Sequence, residues 1–329
     1  MNSPLLKSRT WCIVLSVLMA PLSVGSQDDL HTPHQAGKDM VKPEIRGNLE
    51  KTVHVLAREI GSRGHYQLDE LNRAAGYIEG ELTRCGYEAL EQPYEYKGRS
   101  YKNVYAVKEG REEPEKILVI GAHYDTVTGT PGADDNASAV AGLLELARLL
   151  APVKLRKTVH FVAFTLEEPP LFRSRSMGSY VYARSLSQGE ARVEGMIGLE
   201  MIGYFSDEPG SQYFPLPFMR WIYPEQGNFI TLVSNLRSRG FLNRVKKGFQ
   251  KGTALPVESL SSVSFVPGVD FSDHRSFWKF GYDALMVTDT AFYRNPQYHG
   301  AGDVPEILDF ERMTEVVLGL KAAVEEIAR

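Results

Sequence analysis

Cysteine is almost absent from this chain: 329 residues contain two, Cys12 and Cys85. Two thiols cannot build a disulfide scaffold or a four-cysteine zinc module. A surplus of charge of one sign is also missing, because 37 Lys+Arg stand against 41 Asp+Glu for a formal net charge of −4. With no basic excess to displace counterions, nucleic acid is excluded as the expected partner. Long apolar runs are lacking too. The most apolar stretch, WCIVLSVLMAPLSVG, contains Pro21 and falls short of the roughly 20 residues of a membrane-spanning helix. Internal repeats are absent. What remains is ordinary for a soluble globular protein: 43% hydrophobic and 24% charged residues, too apolar and too balanced for disorder.

The first residues have their own pattern. Lys7 and Arg9 precede the apolar stretch, the small residues Val24, Gly25 and Ser26 follow it, and the polar QDD comes next. That order predicts a secretory signal peptide over residues 1–26. The alternative is an uncleaved N-terminal anchor. Cleavage leaves Cys85 as the sole cysteine, with no internal disulfide and no stable membrane span, in a periplasmic or secreted protein. Residues 27–43 are polar and without periodicity, and read as a flexible leader in which His31 and His34 are solvated. Residues 44–329 read as a single domain.

From residue 44 helical and strand patterns alternate without a linker. IRGNLEKTVHVLAREIG and DELNRAAGYIEGELTRCG carry helical spacing, and ALEQPYEY and YKNVYAVKEG read as strands. KILVIGAHYD, TVHFVAFTLEE, VEGMIGLEMIGY, NFITLVSN, SSVSFVP and DALMVTD read as further strands. Between them lie the helical patterns NASAVAGLLELARLLA, RSMGSYVYARSLSQG, SNLRSRGFLNRVKKGFQK and SDHRSFWKFG, with a closing helix from about Asp309. Such alternation predicts an α/β fold, a mostly parallel central sheet with helices on both faces. Residues 205–227, rich in Pro, Gly and aromatics, are too long a loop to be idle. Phe218, Trp221 and Tyr223 there either wall a side-chain pocket or simply pack.

In such sheets the site lies beyond the carboxyl ends of the strands. His123 and Asp125 follow one predicted strand, Glu167 and Glu168 another, and His299 follows the last. Glu200 interrupts an apolar strand, and Asp134 and Asp135 immediately precede a helix. Taken singly, the paired aspartates would cap a helix and the paired glutamates would be a solvated pair. Together they put four or more carboxylates at one sheet edge, which resist joint ionisation unless a cation neutralises them. Imidazole and carboxylate without thiolate suits Zn²⁺ or a similar divalent ion.

The segments GAHYDTV, PGADDNASAVAGLLELARLL, FVAFTLEEP, GLEMIGY and YHGAGD, in that order, resemble the M28 zinc peptidases. The resemblance implies the zinc exopeptidase (phosphorylase/hydrolase-like) fold and two Zn²⁺ per chain. It makes His123 and Glu200 ligands of one zinc, Glu168 and His299 ligands of the other, and Asp135 the bridge between them. Asp125 corresponds to the carboxylate that fixes the His123 tautomer. Glu167 corresponds to the general base for a metal-activated water. Many members carry Asp where this chain has Glu200. The segment between Tyr101 and Leu118 is too short for the accessory domain of larger relatives.

Asp273 and His274 of SDHRSFW fall near the expected pocket, the alternative being a helix cap followed by a packed histidine. Tyr293 and Arg294 are placed to reach a substrate carboxylate, though Arg294 could equally pair with Asp289. The implied activity is that of an exported metallo-aminopeptidase acting on peptides or small aminoacyl compounds. A glutaminyl-peptide cyclotransferase-like enzyme and a carboxypeptidase or dipeptidase of the same family are the alternatives. A binding domain without catalysis is disfavoured by the complete set of ligands and base.

Overall fold

The computed structural model describes residues 33–190 and 192–329. The expected signal peptide, and the leader as far as residue 32, lie outside the described residues. Two units make up the chain, Met1–Asp39 and Met40–Arg329. The first helix, α1, spans Pro33–His54, so helix occupies the last part of the expected leader. No helix among the described residues is long and apolar enough to cross a membrane.

The sheet has eight strands: β1 (Ala89–Tyr96), β2 (Arg99–Lys108), β3 (Glu113–His123), β4 (Lys157–Phe164), β5 (Arg192–Leu199), β6 (Ile230–Asn235), β7 (Val257–Ser262) and β8 (Ala284–Thr288). Their spatial order is β1-β2-β4-β3-β5-β8-β6-β7. The central four, β4-β3-β5-β8, are parallel. At the flanks β2 runs antiparallel to β4 and β6 antiparallel to β8, while β7 runs parallel to β6. Helices α2 (Leu68–Arg84), α3 (Ala139–Leu150), α4 (Gly178–Ser187), α5 (Arg239–Gly252), α6 (His274–Lys279) and α7 (Phe310–Ala328) complete the fold.

Strand alternation divides the apolar residues between two faces. Leu118, Ile120, Phe161, Ile197 and Leu285 join the large core with residues of α1, α2, α3, α5 and α7. Val119, Val162, Phe164, Met196 and Ala284 face the other way, against Tyr182 and Ala183 of α4 and Phe277 of α6. The central strands are therefore buried on both sides, which is why they read as nearly unbroken apolar runs. Gly121 of β3 is fixed by this packing, because a Cβ there would sit 2.2 Å from the Phe164 ring. Cys85 is half-buried just beyond α2, where burial raises its thiol pKa.

Two expected strands end differently. SSVSFVP is not a strand as a whole: β7 ends at Ser262, because its register against β6, Ile230↔Val257 through Asn235↔Ser262, exhausts the partner. Val266 and Val269 then pack beside Val233 and Met286. VEGMIGLEMIGY leaves the sheet after Leu199, since the amides of residues 201–203 bond to the loop before α3 instead of a strand.

Candidate metal centre

The carboxyl ends of β3, β4, β5 and β8 converge on one edge, and each delivers a donor there. His123 is the last residue of β3, Glu167 and Glu168 follow β4, Glu200 follows β5, and His299 lies in the loop after β8. Leu166 (φ 61°), Met201 (φ 50°) and His299 (φ 56°) adopt left-handed backbone beside or at these donors. Such conformations cost about 1–3 kcal/mol each in a side-chain-bearing residue and concentrate where a site dictates geometry.

Asp135 reaches the centre from the loop before α3. Gly132 permits that approach, having φ +64° and a backbone where a Cβ would lie 2.5 Å from the Asp135 carbonyl oxygen. The Asp135–Asn136 peptide is cis. Asp303 holds the loop by accepting from the amides of Asp134 (2.8 Å) and Asp135 (3.0 Å). Asn136 ties it to β5, donating to the Leu199 carbonyl (3.1 Å) and accepting from the Met201 amide (2.9 Å). Asp134 is buried in this framework, accepting from Gly203 N and from Asn295 Nδ2.

Two groups of donors result, His123–Asp135–Glu200 and Asp135–Glu168–His299, with the ligand atoms of each within 4.8 Å of one another. Asp135 belongs to both. Its Oδ1 lies 3.5 Å from His123 Nε2 and its Oδ2 lies 3.2 Å from His299 Nε2. Glu200 Oε2 is 3.3 Å from His123 Nε2, and Glu168 Oε2 is 3.3 Å from His299 Nε2. Asp135 Oδ1 and Glu168 Oε1 are buried without a hydrogen-bond partner among the described residues, as oxygens awaiting a cation would be. Buried imidazole and carboxylate donors with orphaned oxygens fit divalent zinc.

The electrostatics agree. Burial pushes Glu167 well above the carboxylate range and Glu168 up to about 8, and neighbouring acids add to both shifts. Burial opposes protonation of His123, yet Glu200 and Asp125 outweigh it and hold its pKa well above the ordinary value. His299 behaves likewise and is raised to about 10 through Asp135 and Glu168. In the metal-free protein both imidazoles therefore carry protons at pH 7 that ligation must displace. Zinc binding should release protons, and apparent affinity should rise by about tenfold per pH unit for each proton lost. Calorimetry at several pH values, in buffers of different ionisation enthalpy, checks this; a pH-independent affinity between pH 6 and 8 would contradict it.

Other expected residues fall into two classes. Asp125 sits behind the centre: its carbonyl accepts from His123 Nδ1 at 3.1 Å and its carboxylate is 3.5 Å from the same nitrogen. That carboxylate also accepts from the amides of Glu167 and Glu168 at 3.1 Å each, so it orients the turn carrying both glutamates. Asp273 is buried near His123 and Glu200, and burial raises its pKa to about 7. Tyr293 lines the adjoining cleft.

Arg294 and His274 do not serve as expected. The Arg294 guanidinium is buried and donates to Gln212 Oε1 (2.9 Å) and the Phe229 carbonyl (2.8 Å), so it braces the long loop and not a substrate. His274 Nε2 bonds the Val269 carbonyl (2.9 Å), its ring packs edge-on against Trp278, and burial lowers its pKa to about 4. It is a neutral packed histidine.

Several contributors are not among the expected residues. Ser272 donates to Glu200 Oε2 at 2.6 Å, and Tyr298 stacks on the His299 ring at 3.8 Å. Arg63, fully buried, donates to the carbonyls of Leu56, Gly61, Tyr124, Pro131 and Gly132. It fastens the loops beneath the centre and sets a positive charge behind the acids, burial lowering its pKa to about 10.

Beside the centre opens a cleft of about 790 Å³ including its mouth, bordered by Glu200 and Tyr298 at one end. Tyr213, Phe214, Met219 and Tyr223 of the 205–227 loop wall it, whereas Trp221 is 80% exposed and takes no part.

The model of peptidase family M28 matches residues 103–323. YfbL, an uncharacterized protein of Escherichia coli (strain K12), is 41% identical over 94% of this chain and 95% of its own length. Among solved structures, BSAP, a zinc aminopeptidase from Bacillus subtilis, superposes with a TM-score of 0.67 at 16% identity, covering 85% of this chain and 94% of that one. A glutaminyl cyclase from Bacteroides thetaiotaomicron superposes with a TM-score of 0.62 at 17% identity, covering 86% and 97%. At those identities both likenesses concern the fold.

Proposed function

The chain belongs to peptidase family M28, and from that premise we propose that it is a dinuclear zinc aminopeptidase with Glu167 as general base. The observation that carries the reading is the sharing of Asp135 between two donor groups, one oxygen to each. His123, Glu200 and Asp135 would hold one zinc, and Glu168, His299 and Asp135 the other. Bound there, zinc would supply Lewis acidity toward the scissile carbonyl and the attacking water.

The chain's own residues do the rest. Glu167 belongs to neither donor group, lies 4.0 Å from His123 Nε2, and is held from behind by Asp125. A carboxylate so placed takes the proton of the attacking water at its Oε atoms and passes it to the leaving amine. Burial keeps competing bulk water from the acids and raises the Glu167 pKa, which strengthens the carboxylate as a base. The aromatic cleft beside Glu200 receives the side chain of the residue being removed.

The shared aspartate also favours this reading over a glutaminyl-cyclase-like one, for which a single zinc is expected. Export completes the proposal, supported by the basic, apolar and small-residue order of residues 1–26.

Metal analysis tests the proposal. Purified protein should hold close to two zinc per chain, lose hydrolysis of aminoacyl-coumarin substrates on chelation, and recover it with zinc. Absence of bound metal after zinc supplementation would sink the mechanism. Blocked N-termini should not be cleaved, and cyclisation of N-terminal glutamine in place of hydrolysis would favour the cyclase reading.

A further inference from the structure

The cleft beside the metal centre is walled by aromatic and aliphatic side chains, yet its two charged residues are both acids. Glu200 borders the metal centre and Glu258 stands on β7; no lysine, arginine or histidine lines the cleft among the described residues. Glu258 is half-buried, and its carboxylate makes no hydrogen bond or ion pair among the described residues.

Strand pairing fixes where Glu258 lies. β6 runs opposite to β8, so the first residues of β6 and β7, not the last, lie at the edge that carries the metal centre. Thr288, at the end of β8, pairs with Thr231 of β6, which pairs in turn with Glu258. All three line the cleft. The row spans two inter-strand steps, roughly 10 Å, leading away from the β8–β5 boundary. There the Glu200 amide bonds the Val287 carbonyl at 3.0 Å.

Thr231 supplies an independent observation. It is 8% exposed, and its Oγ1 is buried without a hydrogen-bond partner among the described residues. The carboxylate can only accept and the hydroxyl oxygen accepts as well as donates, so the two together offer lone pairs that no donor among the described residues fills. Ammonium and guanidinium groups are donors only, on stems that an apolar wall accommodates. Phe214 and Tyr223, stacked at 6.3 Å, add aromatic surface on which such a stem can lie.

We infer that the cleft selects an N-terminal lysine or arginine, with Glu258 as the specificity-determining residue and Thr231 as its neighbouring acceptor. The inference rests on the aminopeptidase reading above. The uncharged aliphatic and aromatic residues that also fit the cleft would leave Glu258 and Thr231 Oγ1 unpartnered and are weaker substrates.

Zinc-replete full chain should be assayed on arginyl, lysyl, leucyl, phenylalanyl and glutamyl coumarin amides. The kcat/KM for arginyl and lysyl substrates should exceed that for leucyl by about tenfold or more, the range of a charge-assisted hydrogen bond. Glu258→Gln, nearly isosteric, should collapse this ratio at least tenfold, chiefly through KM for the basic substrates. Argininamide should raise the melting temperature of the wild type more than that of Glu258→Gln, a readout independent of turnover. A leucyl or phenylalanyl preference in the wild type, a ratio that survives Glu258→Gln, or equal argininamide shifts would overturn the inference while aminopeptidase activity stands. Failure to hydrolyse any of the five would instead overturn the reading it rests on.

Discussion

Glu167→Gln should retain the zinc of the wild type while lowering kcat by about 10²–10⁴-fold, the usual contribution of a positioned general acid–base. The side chain stands among the donors but in neither group of three, so its amide analogue removes no ligand. Glutamine preserves the volume of a residue that is 6% exposed and leaves its backbone bond to Asp125 Oδ1 intact. What it removes is a site for the water's proton. KM should change little, because Glu167 does not line the cleft proposed to receive the substrate side chain. Metal content by elemental analysis, together with single-turnover kinetics, separates the outcomes. Full activity would exclude Glu167 as the base, whereas loss of one zinc would make it a ligand.

The donors were legible in the sequence because parallel strands present their carboxyl ends at one edge. Apolar runs mark those strands, so the next polar residue is a candidate: His123, Glu167, Glu168 and Glu200 are each found this way. What surrounds them was not. Asp303, Asn136 and Arg63 act through backbone amides and carbonyls of segments distant in sequence, and no spacing announces such partners. Arg294 illustrates the converse. A lone arginine beside an expected ligand invites a substrate role, but Gln212 of the 205–227 loop and the Tyr204 and Phe229 carbonyls flanking that loop draw the guanidinium inward and bury it. The strand at SSVSFVP fails for a related reason: the sheet partner has ended, Val266 packs beside Val233 and Met286 instead, and Phe265 is left 83% exposed.

Asp135→Asn should have the larger consequence, abolishing activity and most of the zinc-dependent stability together. Its two oxygens face different histidines, so one substitution takes a charged donor from both groups and leaves each with a histidine and a glutamate. An amide nitrogen, if turned toward either imidazole, cannot ligate at all. Zinc at a thousandfold excess over its dissociation constant stabilises a folded chain by about 4 kcal/mol. For a domain of this size that is a rise in melting temperature of roughly 7 °C. The variant should show less than half of that rise, and a metal content near zero at zinc concentrations that saturate the wild type. His299→Ala is the informative comparison: it breaks one group only, so one zinc per chain should persist. Equal losses in the two variants would mean that the ions bind as a unit. Full retention of two zinc by Asp135→Asn would refute the shared-ligand geometry itself.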